Sequence, residues 1–267
     1  MDGPLIAGIV NVTPDSFSDG GRLRDAEAAI AHALQLLDDG ADWVDIGGES
    51  TRPGAAPVPV DEELARVEDV VAGIHERRPE AVISIDTRRA LVAARACVVG
   101  ASVVNDVSAL GDPEMADVVR EAGAQLVLMH MRGTPQTMQA DTSYSDLEGE
   151  VVEHLRSRAE HAESLGVARA HILLDPGIGF GKRPGDNPRL FGVVPRLSAL
   201  GYRTFIGASR KRFIGELTGV AEAKHRVAGS VGAALAAASW GADVLRVHDV
   251  AETRQALTVF RACRGQS

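Results

Sequence analysis

Short apolar runs recur along the chain at Leu5–Val10, Trp43–Ile46, Val82–Ile85, Ser102–Val104, Gln125–Met129, His171–Leu174, Thr204–Ile206 and Val244–Val247. Their length suits strands buried on both faces of a parallel sheet. Between them apolar residues return at helical spacing, as in Ala26, Ile30, Ala33, Leu34 and Leu37, or Leu64, Val67, Val70, Val71 and Ile74. Such alternation closes into a barrel or spreads into an open doubly wound sheet, and periodicity alone does not separate the two. The strand count and the polar residues that follow the strands favour an α/β fold, a single (β/α)8 TIM barrel. The length of 267 residues is close to that fold's typical size. No Pro, Gly or Ser-rich linker divides the chain, so one domain is expected over residues 1–267.

Two connections are long and rich in Gly and Pro, Asn11 to Gly21 after strand one and Gly47 to Pro59 after strand two, and a third irregular stretch runs from His130 through Thr142. Connections in this fold usually run about 2–6 residues, so the first two read as lids over the barrel mouth, with tolerated surface excursions as the alternative. Active sites of such barrels form at the carboxyl ends of the strands. The residues found there are Asn11, then Glu49, Thr51 and Arg52, Asp86, Asn105 and Asp106, His130, Asp175, Ser209 to Lys211, and finally Arg246 and His248. Taken singly, each has a plain structural alternative. Asp86 and Asp175 suit the N-caps of following helices, and His130 suits a satisfied core histidine. Together they form a set of acceptors (Asp86, Asp175), amides (Asn11, Asn105) and cations (Lys211, Arg246, and His248 if protonated) able to read a flat polar heterocycle and an anion. Arg246 and His248, two apart on one strand, point the same way and suit a phosphate oxygen.

Composition narrows the classes. A formal charge of −9 argues against nucleic-acid binding, which needs concentrated Lys and Arg. The local run Arg210, Lys211 and Arg212 is expected to make a positive pocket all the same. No apolar run is long enough for a membrane span, and Leu5–Val10 reads as a first strand in place of a signal peptide. Cys97 and Cys263 give neither metal spacing nor a disulfide framework, which points to the reducing cytoplasm.

The segment DPGIGFGK at Asp175–Lys182 is not a Walker loop, because Arg183 follows the lysine, and its glycine spacing misses the dinucleotide fingerprint. Neither ATP nor NAD is expected. The glycines serve either close approach of backbone to ligand or tight turning. HExxH and CxxC are absent, which argues against resident zinc. Magnesium needs only one protein oxygen when it also holds substrate phosphates, and Asn11 suffices if the substrate is a diphosphate.

The segments NVTPDSFSDGG from Asn11, GGESTRPGA from Gly47, SIDT from Ser84, NDVS from Asn105, MHMRGTPQTMQ from Met129, LDPGIGFGK from Leu174, GASRKRFIG from Gly207 and LRVHDV from Leu245 closely resemble dihydropteroate synthases, in order and over almost the whole chain. That resemblance implies a transferase of folate biosynthesis and sulfonamide target, which condenses 6-hydroxymethyl-7,8-dihydropterin diphosphate with p-aminobenzoate to give 7,8-dihydropteroate and pyrophosphate. It implies pterin contacts from Asp86, Asn105, Asp175 and Lys211, lined by Met129, Phe180 and Gly207. It also implies diphosphate and Mg2+ contacts from Asn11, Arg246 and His248, and a p-aminobenzoate pocket from Phe17, Thr51, Arg52, Pro53 and Ser209, with Asp19 ordering the first loop. The catalytic set is then Asp86, Asp175, Lys211, Arg246 and His248, acting through an SN1-like path in which diphosphate leaves before the arylamine attacks.

Arg212 is either a rim charge or a solvated helix charge. The resemblance further implies a homodimer, with Trp240 and the small-residue helix Val227–Ala238 as candidate contacts and internal packing as the alternative. Two rival functions share the fold: a pterin-dependent methyltransferase, which needs neither diphosphate nor arylamine sites, and a noncatalytic pterin-binding paralogue.

Overall fold

The computed structural model describes residues 3–12, 22–52 and 54–265. Among them, parallel strands β1 (Leu5–Asn11), β2 (Trp43–Gly47), β3 (Val82–Asp86), β4 (Val103–Asp106), β5 (Gln125–Met129), β6 (Ile172–Asp175), β7 (Arg203–Gly207) and β8 (Val244–Val247) close in sequence order into a barrel. The outer helices are α1 (Arg22–Asp38), α2 (Val60–Arg77), α3 (Ala90–Val98), α4 (Met115–Ala122), α5 (Leu147–Ser164), α6 (Val194–Ala199), α7 (Arg212–Thr218), α8 (Val227–Ser239) and α9 (Val250–Cys263). The predicted strands all form, and several extend to include the polar residue that follows the apolar run. One expectation changes. The β7–β8 connection carries two helices, α7 and α8, where simple alternation predicts one.

Side chains alternate across each strand, so the same apolar run feeds two cores. Outward residues such as Ile46, Ile85, Val104, Leu128, Leu174 and Leu245 pack against the helices. Inward residues Ala7, Trp43, Val103, Val127, Leu173, Phe205 and Val244 fill the barrel's lower half, where Trp43 and Phe205 stack with ring centroids 6.2 Å apart. Two residues further along the strands, the inward position becomes polar at Asp45, Ser84, Asn105 and Arg246. The apolar plug is therefore the floor of a polar well.

Four strand entries share one local device, a Gly-Ala pair just ahead of β2, β4, β5 and β8. Gly40, Gly100, Gly123 and Gly241 all have positive φ, and the following alanine N–H bonds back to the carbonyl of Leu36, Ala96, Val119 or Ala237 at 2.9–3.1 Å. A left-handed residue past the helix end satisfies the last carbonyls and turns the chain toward its strand. At this lower rim the Asp42 carboxylate accepts from the Ile6 N–H at 2.7 Å and pairs with Arg254, while Asp243 accepts from the N–H and hydroxyl of Thr204 at 2.8 and 3.0 Å. Among the described residues no helix is long and apolar enough to cross a membrane.

Candidate active site

Strand register brings the sequence-predicted residues together at the upper rim. Asn11 pairs with Gly47, Gly47 with Asp86, and Asp86 with Asn105; Met129 pairs with Asp175, and Gly207 with Arg246. Asp86, Asn105 and Asp175 are all buried, exposed by 8, 3 and 6%. Neither aspartate caps a helix. The N-cap of α3 is Arg89, and Asp175 instead accepts from the Gly177 N–H at 2.7 Å across the turn that follows β6.

Arg246 projects into the well, its Nε donating to Asp45 at 2.5 Å and one Nη to Asp86 at 2.7 Å. This places the guanidinium beside the expected pterin acceptor, so that the expected pterin and diphosphate contacts adjoin. Asp45 also accepts from the Ser84 hydroxyl at 2.6 Å and from Asn105 Nδ2 at 3.2 Å. Sequence reading missed Asp45. The available signal was a charge in the middle of an apolar strand, which burial forbids without partners.

Lys211 lies just ahead of α7, with Nζ 3.8 Å from the Phe180 ring centroid. Burial lowers its pKa to about 7, an effect opposed by Asp175 and Asp86 and reinforced by Arg246. Burial raises Asp175 to about 6 against the Gly177 N–H, Lys211, Lys182 and Arg246. Burial also raises Asp86, with Arg246 and Lys211 opposing and Asp45 and Glu63 adding to the rise. Pocket carboxylates pushed upward and a pocket lysine pushed downward mark a site where desolvation is held ready for a ligand.

His248 follows β8, with Nδ1 3.0 Å from the Ser209 hydroxyl, which also accepts from the His248 N–H at 3.2 Å. Burial, then Arg246, Arg210, Lys211 and Arg52, lowers its pKa to about 3, so of the two alternatives for His248 the site favours the neutral imidazole over the protonated cation. The exposed Arg52 of the second loop adds the smallest of these contributions. The expected basic cluster also divides. Arg210, in a left-handed conformation with φ 58°, pairs with Asp249 and donates its N–H to Ser230 at 2.8 Å. Arg212 is 84% exposed and pairs with Glu216, a solvated helix charge. Of the three, Lys211 is the one that faces the site's carboxylates, Asp175 and Asp86.

The glycine-rich segment is clipped by its own lysine. Lys182, 2% exposed, donates to the carbonyls of Pro176 and Gly177 at 2.8 Å and of His130 at 3.0 Å, and lies 2.9 Å from His130 Nδ1. A methyl on Gly177 would stand 2.0 Å from the His130 carbonyl oxygen, and one on Gly179 would stand 2.8 Å from the Lys211 stem. Tight turning explains these glycines. Burial, then Lys182 and His154, lowers His130 to about 2, which makes it a neutral core histidine.

In the second loop, Glu49 accepts from Val58 N–H at 2.9 Å and from Arg88 and Arg89 at 2.9–3.2 Å, and the Gly54 N–H reaches the Pro135 carbonyl at 3.1 Å. Glu49 and Asp106 are thus loop anchors: Asp106 holds the Ser108 and Leu110 N–H groups at 2.8 and 2.6 Å. Thr51 is half-buried on that second loop. Phe17, Asp19 and Pro53 lie outside the described residues. Asn11 ends β1 at the mouth, half-buried, and among the described residues no group of three or more His, Cys, Asp or Glu is placed to hold a metal.

The family described as pterin binding enzyme matches residues 7–248. The dihydropteroate synthase of Neisseria meningitidis serogroup B is 48% identical over 268 aligned residues, covering 98% of this chain and 93% of that protein. The structure of Xanthomonas albilineans dihydropteroate synthase with 4-aminobenzoic acid superposes with a TM-score of 0.93 at 49% identity, over 98% of this chain and 94% of that one. The same organism's enzyme in complex with 7,8-dihydropteroate gives 0.89 at 46% identity, over 98% and 94% of the two chains. With its fold and nearly its full length matched, the chain belongs to the dihydropteroate synthase family of pterin-binding enzymes.

Proposed function

We infer that this chain condenses 6-hydroxymethyl-7,8-dihydropterin diphosphate with p-aminobenzoate, giving 7,8-dihydropteroate and pyrophosphate. The observation that carries this reading is the gathering of Asp86, Asn105, Asp175 and Lys211 at one buried end of the barrel, in a chain of this family. Two carboxylates and an amide suit the amino and ring N–H edge of a pterin, and Lys211 suits its carbonyl oxygen. Arg246, His248 and Asn11 suit the diphosphate, and Thr51, Arg52 and Ser209 suit the carboxylate and ring of p-aminobenzoate. Phe17, Asp19 and Pro53 join that last set by resemblance.

Bond breaking comes first in this scheme. The C–O bond between the pterin methylene and the diphosphate breaks with its electron pair leaving on oxygen, and Arg246 faces the negative charge that develops. His248 meets the diphosphate as a neutral hydrogen-bonding group, whose affinity for a proton the arriving charge raises. The cation left on the methylene spreads into the ring, where the ionised Asp86 and Asp175 stabilise it. The arylamine lone pair then forms the C–N bond and its proton departs to water. An amine attached to a cation is acidic, so no strong base is required.

Magnesium belongs to the same reading. Among the described residues no cage of charged ligands is present, and the single hard amide oxygen of Asn11 at the mouth fits an ion held otherwise by substrate phosphates and water. Bound there, it would supply charge neutralisation on the leaving diphosphate. The free thiols of Cys97 and Cys263 are consistent with a reducing, cytoplasmic setting. A homodimer through the region of Trp240, 49% exposed after α8, completes the reading, and sedimentation velocity would settle it.

The test mixes purified protein with dihydropterin diphosphate, p-aminobenzoate and magnesium, and follows both products. Equimolar pyrophosphate and dihydropteroate, dependent on p-aminobenzoate, is the expected result; pterin binding without dihydropteroate would reject it in favour of a noncatalytic paralogue. Substrate labelled with oxygen-18 in the bridging position tests the order of steps. Scrambling of the label into nonbridging positions without amine is expected, and its absence would count against ionisation first.

A further inference from the structure

We propose that Asp45 is a positioning residue which, from the floor of the pterin pocket, orients both Asn105 and Arg246. The proposal rests on the pterin-transfer reading above. Asp45 is fully buried, inward-facing in the middle of β2, and in register with Ile9 and Ser84. One carboxylate oxygen takes both Arg246 Nε at 2.5 Å and Asn105 Nδ2 at 3.2 Å, and the other takes the Ser84 hydroxyl at 2.6 Å. Three donors from three different strands thus converge on one acceptor.

Two consequences follow from that geometry. A carboxylate only accepts, so it faces the NH2 end of the Asn105 amide and fixes which way up that amide meets a heterocycle. The second concerns competition for Asp86. Arg246 shares itself between Asp45 and Asp86, and removal of the Asp45 charge leaves a largely buried guanidinium with Asp86 as its one paired carboxylate among the described residues. Arg246 would then take both Asp86 oxygens and mask the acceptor a pterin amidine edge requires.

The variant Asp45→Asn keeps the volume and removes the charge. Its kcat/KM for the pterin substrate is expected to fall at least about tenfold, while KM for p-aminobenzoate at saturating pterin stays within about twofold. A pH profile separates positioning from loss of packing. The charged groups facing Asp86 are Arg246 of β8, Asp45 of β2, Glu63 of α2 and Lys211 ahead of α7. Asp45 and Glu63 repel its charge, and removing one of them moves the acidic limb of the pterin kcat/KM profile to lower pH. A merely structural lesion lowers the plateau and leaves the limb in place.

Pterin kcat/KM within about twofold of the parent, or a loss with an unmoved limb, would overturn the proposal. If Asp45→Asn does not fold, Ser84→Ala serves instead, because it frees the same carboxylate to rotate. A loss of about threefold or more confined to the pterin parameters supports the proposal, and unchanged pterin parameters overturn it. Parent protein that turns over p-aminobenzoate in the same assay keeps failure of this inference distinct from failure of the functional reading.

Discussion

Asp175 illustrates how a residue serves ligand and fold in opposite senses. Its folded-state pKa is raised by burial to about 6, above the ordinary carboxylate value, so the folded chain holds the proton more tightly than the unfolded one. Any stability linked to that proton is fully present below the unfolded value and is lost as pH rises through about 6. Asp175→Asn is therefore expected to be more stable than the parent at pH ~8, by on the order of 1–2 kcal/mol, and no more stable at pH ~4. The same change turns an acceptor toward a donor and weakens pterin binding by about tenfold or more. Thermal scans at the two pH values and a pterin titration check both halves. Asp175 was legible in the sequence because it ends an apolar run, where the barrel places its chemistry. Asp45 was not, because the same alternation that hides Trp43 hides Asp45, and a buried charge declares its role only through partners on β3, β4 and β8.

At the scale of elements, the turn after β6 depends on one side chain. Lys182 ties that turn to the end of β5, and the turn presents Phe180 and Gly179 to Lys211. Lys182→Met leaves the buried carbonyls of His130 and Pro176 without the ammonium, while that of Gly177 keeps the Phe180 N–H, and is expected to destabilise the protein by about 2–4 kcal/mol in denaturant unfolding, with weakened pterin binding in whatever folds. A variant as stable as the parent would show that water replaces the ammonium. The sequence shows the glycines and the lysine of this segment, yet not their purpose, since a clip of this kind is defined by carbonyls that any residue carries. The strands were legible almost to the residue because their hydrophobicity is continuous. The first helix of the β7–β8 connection was not, because α7 is only seven residues long and presents too little periodic face to register as a separate element.

Across the whole molecule the two ends of the barrel divide the work, with chemistry at the upper rim and closure at the lower one. Asp42 holds the Ile6 N–H and Arg254 at the lower rim, a strand of the plug's depth away from the site. Asp42→Ala is expected to lower stability by about 1–2 kcal/mol and to leave kcat/KM for both substrates unchanged. Equilibrium unfolding beside steady-state kinetics checks the separation, and a change in kcat/KM without a change in stability would refute it. The fold class was legible from the count of strands and the order of polar residues. The sharing of one guanidinium from β8 between acids on the neighbouring strands β2 and β3 was not, because it joins residues 160 and 201 positions apart.

That separation in sequence gives Arg246 a bearing on synthesis as well as on catalysis. Asp45 and Asp86 emerge from the ribosome early and Arg246 late, so a nascent chain carries two neighbouring acids without the guanidinium they share until its last strand arrives. The strand that seals the barrel also brings the cation those two acids share. In refolding followed by pulsed hydrogen exchange, protection of β8 and competence to bind pterin are expected to arise in the same kinetic phase, and pterin binding that precedes β8 protection would separate the two.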